Sequence, residues 1–203
     1  MSSILQPYAV PLNDLRNMIG SGDVHTFVDL HSRYYADLLE LDEQLDGSSD
    51  AVPAAAEDLL HDLIHRPEVP RPQATAERAK LLYILELMCR RAGKALSNRA
   101  WSGFRESWAT VIDGHLTSNR VAFRTQNLLG GTPPLGLYAA DDYPGVSSLT
   151  PEQCQAALDE LLPLSPPQPG DGQGEDMAES LAEVRDWLKT CAEGGQHLIC
   201  FFY

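Results

Sequence analysis

Hydrophobic residues recur every three or four positions over most of the chain, the period of helices that bury one face. Val24, Phe27, Val28, His31, Tyr35, Leu38 and Leu45 follow this spacing behind Asp23, a good N-cap, and predict a long amphipathic helix. Before it, a short helix starting at Leu12 or Asn13 is stopped by Gly20 and Gly22. Residues 46–53 read as a loop, and Ala54 to His65 as a third helix ended by Arg66-Pro67. The helix from Ala74 to Ala92 is apolar nearly all round between Leu81 and Cys89, which places it at the centre of the fold with Gly93 as its cap. Phe104, Trp108, Val111, Ile112 and Leu116 predict another helix, and Val121 to Leu129 a shorter one closed by Gly130-Gly131.

Residues 132–149 hold several turn formers and read as a long irregular stretch, of the kind that often carries function. Thr150-Pro151-Glu152-Gln153 then combines an N-cap, a first-turn proline and a capping-box glutamine, and starts a helix running to about Leu162. A Pro/Gly-rich loop over 165–176, expected to be mobile, precedes Met177, Leu181, Val184, Leu188 and Cys191, a 4-3-4-3 stripe ended by Gly194-Gly195.

The two ends differ from this pattern. Ser3 to Val10, closed by Pro11, and His197 to Tyr203 read as strands, and the second is too apolar to be left in water. The economical arrangement pairs them in one small sheet. The expectation is an α+β fold, mostly helical, a single domain over 1–203 whose sheet includes the N- and C-terminal strands. A chain of 203 residues buries roughly 70% of its unfolded surface, enough for a core without staples.

Charge is segregated along the chain. The net charge is −14, distributed as −10 over residues 1–70, +6 over 71–130 and −10 over 131–203. Acidic flanks folded around a basic middle account for this pattern, and the overall sign disfavours nucleic acid. A basic patch of Arg90, Arg91, Lys94, Arg99, Arg105, Arg120 and Arg124 would reopen that reading only if these residues shared one exposed face. No run of 18 apolar residues is present, and the start lacks the basic segment of a secretory leader, so the expectation is a cytoplasmic protein with no membrane partner. Cys89, Cys154, Cys191 and Cys200 form neither a Cys-x-x-Cys pair nor a disulfide framework.

Candidate chemistry is sparse. His61 and His65 share a helical face at i and i+4 and are a weak metal site: Asp62 is short for a base, and the helix stops directly after His65. Glu86 interrupts an apolar run, so it is either paired, with Arg90 at i+4 the obvious partner, or a functional carboxylate. Asp141 and Asp142, followed by Tyr143, could hold a cation or form a solvated turn. Phosphate-binding glycine loops and nucleophile elbows are missing, and no cofactor is expected.

Tyr8-Ala9-Val10, Ile19 to Asp23, Glu86-Leu87, Asn98 to Trp101, Asp141 to Pro144, Leu149 to Glu152, Trp187 and Leu198 to Tyr203 together resemble a family of uncharacterised bacterial proteins of about this length. The resemblance spans nearly the whole chain and implies a bacterial origin and a single domain of unknown function. It carries over no catalytic residue.

Function is thus left to three readings. The first is a non-catalytic acidic protein that binds another protein, a basic one if it works in the manner of an immunity protein or anti-toxin. The second is an enzyme or ligand binder with a pocket between the 132–149 loop and the central helix, using Glu86, Tyr83, Asp141, Asp142 and Tyr143. The third is nucleic-acid binding through the basic 90–124 region.

Overall fold

A computed structural model of the chain describes residues 2–45, 53–66, 68, 71–72, 74–165 and 172–203. The loop expected over 46–53 lies outside these residues except for Pro53. Of the expected 165–176 loop, residues 166–171 also lie outside, and Gly172 to Asp176 already belong to a helix.

The terminal strands are the centre of the structure. Strand β1 (Ser3–Val10) pairs antiparallel with β5 (His197–Phe202), with Leu5 opposite Phe202 and Val10 opposite His197. On its other edge β1 meets two short strands, β2 (Lys94–Ala95) beside Tyr8 and Ala9, and β3 (Ser102–Phe104) beside Ser3 and Ile4. β4 (Gly145–Leu149) completes the sheet on the far side of β5, and every pairing is antiparallel.

Because successive side chains of a strand face opposite ways, the sheet supplies two cores. Leu5 and Ala9 of β1 with Leu198, Cys200 and Phe202 of β5 face one core. Helices α5 (Ser107–Ser118), α6 (Pro151–Leu161) and α7 (Gly172–Gly194) cover it. Tyr8, Val10, Ile199 and Phe201 face the other, under α1 (Leu12–Met18), α2 (Val24–Leu45), α3 (Ala56–His65) and α4 (Thr75–Ala92). The fold is α+β, mostly helical, with a small antiparallel sheet between two helical layers.

Local signals explain most boundaries. Both Asp23 carboxylate oxygens accept first-turn amides of α2, from His25 and Thr26 at 3.1 and 3.2 Å. Thr150 and Gln153 exchange the two capping-box bonds at 2.8 and 3.2 Å. Gly93 ends α4 because a Cβ there would lie 2.6 Å from the Ala9 carbonyl oxygen as the chain turns into β2.

Three expectations about element boundaries are corrected. Residues 145–149 form β4 rather than irregular chain: Ser147 and Ser148 pair with Cys200 and Ile199, and a buried hydroxyl of Ser147 donates to Leu128 O at 3.0 Å. Val121 to Leu129 is not an α-helix but an extended entry and a 3-10 turn, Thr125–Leu128. Remote carboxylates take the amides a helix would need: Glu160 accepts from Ala122 and Phe123, and buried Asp113 from Thr125 and Gln126. Phe104, placed in a helix by its spacing, lies in β3.

A further correction concerns which face of α2 is buried. Phe27, Leu30, Tyr34, Leu38, Leu41 and Leu45 pack on α3 and α4, whereas Val24, Val28 and Tyr35 face solvent. α2 carries two apolar stripes at helical spacing, and only one can meet the core.

Candidate functional site

Glu86 sits in the middle of α4, only 3% exposed, where its carboxylate meets the ends of the chain. Tyr8 of β1 donates its hydroxyl to Oε1 at 2.7 Å, and the hydroxyl of Tyr203, just past β5, donates to Oε2. Arg90, one turn further along α4, donates Nη2 to Oε1 at 3.2 Å and Nε to the Tyr8 hydroxyl at 3.3 Å. Its Nη1 reaches Asp37 of α2 at 3.2 Å. Tyr83 stacks on Tyr203 with ring centroids 5.5 Å apart.

Both oxygens of Glu86 are therefore engaged, and an arginine is among the partners. This is the structural pairing that its position in an apolar run suggested. The carboxylate is thus committed to bonds that join α4 to the sheet. Two clefts reach it: one of about 240 Å³ between α2 and α4, and one of about 440 Å³ beside Ile4, Gln6 and Ala95.

Burial and the adjacent Glu86 charge hold the Tyr8 and Tyr203 hydroxyls well above the ordinary tyrosine value near 10, and burial with the same charge raises Tyr83. Folding thus favours the protonated phenols. That contribution is complete below pH 10 and is lost as pH rises beyond it, because the unfolded chain ionises first. Stability to urea is expected to fall steeply above about pH 10, with tyrosinate absorbance from these residues appearing together with loss of circular dichroism. Full ionisation of every tyrosine in a chain that remains folded would contradict this.

The residues proposed from sequence for one pocket do not share one. Tyr83 and Glu86 line the smaller cleft, but Asp141 lies two turns away along α4, bonded to Thr75 at 3.1 Å and to Arg78 at 3.2 Å. Asp142 is exposed. Tyr143 packs on Phe202, whose side chain belongs to the opposite core. The loop over 132–149 instead sends Leu135, Leu137 and Ala140 into the core beneath α4.

His61 and His65 have ring centroids 4.3 Å apart and flank Phe27, as does His31, whose Nε2 is 3.2 Å from Glu57. Among the described residues no group of three or more metal-ligating side chains is assembled. The four cysteines are free and buried, and burial pushes the Cys89 and Cys200 thiols up.

Part of the basic segment is neutralised by acidic neighbours. Arg78 pairs with Asp141, Lys80 with Asp42 at 2.6 Å, Arg90 with Glu86 and Asp37, and Arg91 with Asp29. Arg124 bonds the carbonyls of Val121 and Phe123.

Among the described residues, one group of exposed apolar side chains lies along the outer face of α2. Val24, Val28, Tyr35 and Leu39 are 61, 53, 49 and 47% exposed. Val24 and Val28 share a face of the first limb; Tyr35 and Leu39 share one beyond the bend at Tyr34. His31 lies between them, its ring 5.3 Å from that of Tyr35. The stripe runs for about 22 Å. Its sequence signal is an excess of apolar residues over what one buried face requires.

The model of a domain of unknown function, DUF7691, matches residues 1–203. The chain belongs to this family. No curated protein and no solved structure matches it. Membership of DUF7691 covers every element described above, and it assigns no activity to the Glu86 network or to the α2 stripe.

Proposed function

We propose that this DUF7691 member is an acidic, bacterial, cytoplasmic protein that acts without catalysis, by docking a basic amphipathic segment of another protein on α2. The observation that carries the proposal is the exposed Val24, Val28, Tyr35 and Leu39 stripe, since four large apolar side chains aligned in water are a characteristic of interaction faces. Glu40, Glu43 and Glu57 are exposed on α2 and α3, and no lysine or arginine is paired with them among the described residues. An apolar seam with an acidic rim complements a partner with apolar anchors and basic flanks. A second copy of the chain would bring like charges together, at −14 on each. An immunity or anti-toxin role, neutralising a basic protein, is one form of this activity.

The test compares the tagged chain with its Val28→Glu/Leu39→Glu variant in native lysate at physiological and at high salt. A stoichiometric basic partner held by the native chain is expected, weakened at least tenfold both in the variant and at high salt. Equal retention by the variant would overturn the proposal. So would a stripe-dependent dimer seen by light scattering, or an empty native pull-down.

A further inference from the structure

We propose that a cleft on the other helical layer, remote from the α2 stripe, binds a mononucleotide. The cleft has a volume of about 510 Å³, within the range of small-molecule sites, and lies between β3, the start of α5 and α7. Arg99, Arg105 and Trp108 line it, together with Ser102 and Ser107.

Two features separate this cleft from ordinary surface. First, its arginines are unengaged. The arginines of α4 are consumed by acidic neighbours, and Arg185 donates to Leu161 O and Leu164 O at 2.7 and 2.8 Å. The guanidinium groups of Arg99 and Arg105 make neither a hydrogen bond nor an ion pair among the described residues, although Asp176 and Glu179 line the same cleft. Two free guanidiniums in one concavity suit the several oxygens of a phosphate, which accept paired N–H donors.

Second, the aromatic wall is held in position. Trp108 donates its indole N–H to Ser180 Oγ at 3.1 Å, and Ser180, itself buried, donates to Asp176 O at 2.8 Å. Trp101 donates to Ser180 O at 3.1 Å. Trp101 and Trp187 are buried, whereas Trp108 is half-buried and borders the cleft. A ring fixed through its polar edge can stack a planar base without losing much rotational freedom. Asp176 and Glu179 accept hydrogen bonds, as ribose hydroxyls and exocyclic amines require. A phosphate with an aromatic base and several donors between them uses all three parts of the lining.

The experiment titrates the full chain with AMP, GMP, CMP and UMP, and separately with adenosine and inorganic phosphate, following tryptophan fluorescence and heat of binding. At least one mononucleotide is expected to bind saturably and quench Trp108. Adenosine and phosphate alone should each bind at least tenfold more weakly than the preferred mononucleotide. Arg99→Ala and Arg105→Ala should each weaken binding about tenfold, and Lys94→Ala, which removes an equal charge outside the cleft, should not. Trp108→Phe should remove the quench and leave a weakened heat signal. Unchanged thermal midpoints in the arginine variants confirm that the fold is intact. No saturable binding by any of the four nucleotides would overturn the proposal. Undiminished binding in the Arg99→Ala/Arg105→Ala double variant would also overturn it, as would phosphate binding as tightly as the nucleotides.

Discussion

Glu86→Ala is expected to lower the unfolding free energy by about 3–5 kcal/mol, the cost of taking one member out of a buried charged network. The carboxylate is the meeting point of Tyr8 from β1, Tyr203 from beyond β5 and Arg90 from the next turn of α4. Alanine takes from two phenolic hydroxyls the carboxylate that accepts from both, in a site that is 3% exposed. The arginine contributes less than the tyrosines, because it is partly exposed and keeps Asp37. Glu86→Gln retains the volume and one acceptor oxygen, so its loss should be smaller, about 1–2 kcal/mol. Urea unfolding of the two variants beside the native chain measures both. A loss below about 1 kcal/mol for alanine would mean that the network does not tie the chain ends to α4.

Gly145→Ala is expected to destabilise by about 3 kcal/mol, at the upper end for an overpacked site. A Cβ at this position would lie 2.2 Å from the carbonyl oxygen of Leu129 and 3.5 Å from Cβ of Phe202, its partner across the strand pair. Backbone presses on one side and a core aromatic on the other, so β4 or the turn before it must move. Gly114, on an exposed turn of α5, meets nothing within 4 Å. Gly114→Ala should therefore stabilise the protein by about 0.5–1 kcal/mol, through helix propensity and a less free unfolded chain. Thermal unfolding of both variants should show midpoints moving in opposite directions. A harmless Gly145→Ala would show that the 3-10 turn does not clamp the edge of β4.

The parts of this fold that are legible in the sequence are those whose cause is local. Asp23, and Thr150 with Gln153, act within one turn of themselves, and the helices they bound follow the apolar spacing. The terminal strands are legible because seven nearly uninterrupted apolar residues need cover. What stays hidden depends on distant partners. Val121 to Leu129 has a helical pattern, yet Glu160, far along the chain, and Asp113, in the helix before it, take its amides. β2 and β3 are two and three residues long, too short for any periodicity, and exist because β1 offers them an edge.

The same distinction applies to the sites. Glu86 and its Arg90 partner are one helical turn apart and visible in the sequence; Tyr8 and Tyr203 join them only through the sheet. Lys80 is fully buried within the central helix, neutralised by Asp42 and bonded to Ala54 O, neither of which is near it in sequence. Spacing alone puts the α2 stripe in the core, because a period identifies faces but not which of two faces meets a neighbour.

The pairing of β1 with β5 also governs the order in which the protein can assemble during synthesis. Residues 12–92 can build their helical layer as they leave the ribosome, since α1 to α4 contact one another. β1 is the first strand to emerge, and its partner along six residue pairs is not made until residues 197–202. Through that interval one edge of β1 presents unpaired amides and carbonyls, and Leu5 and Ala9 await the later helices that cover their face. Slow, non-local closure of this kind leaves an open strand edge exposed for longer than a hairpin would.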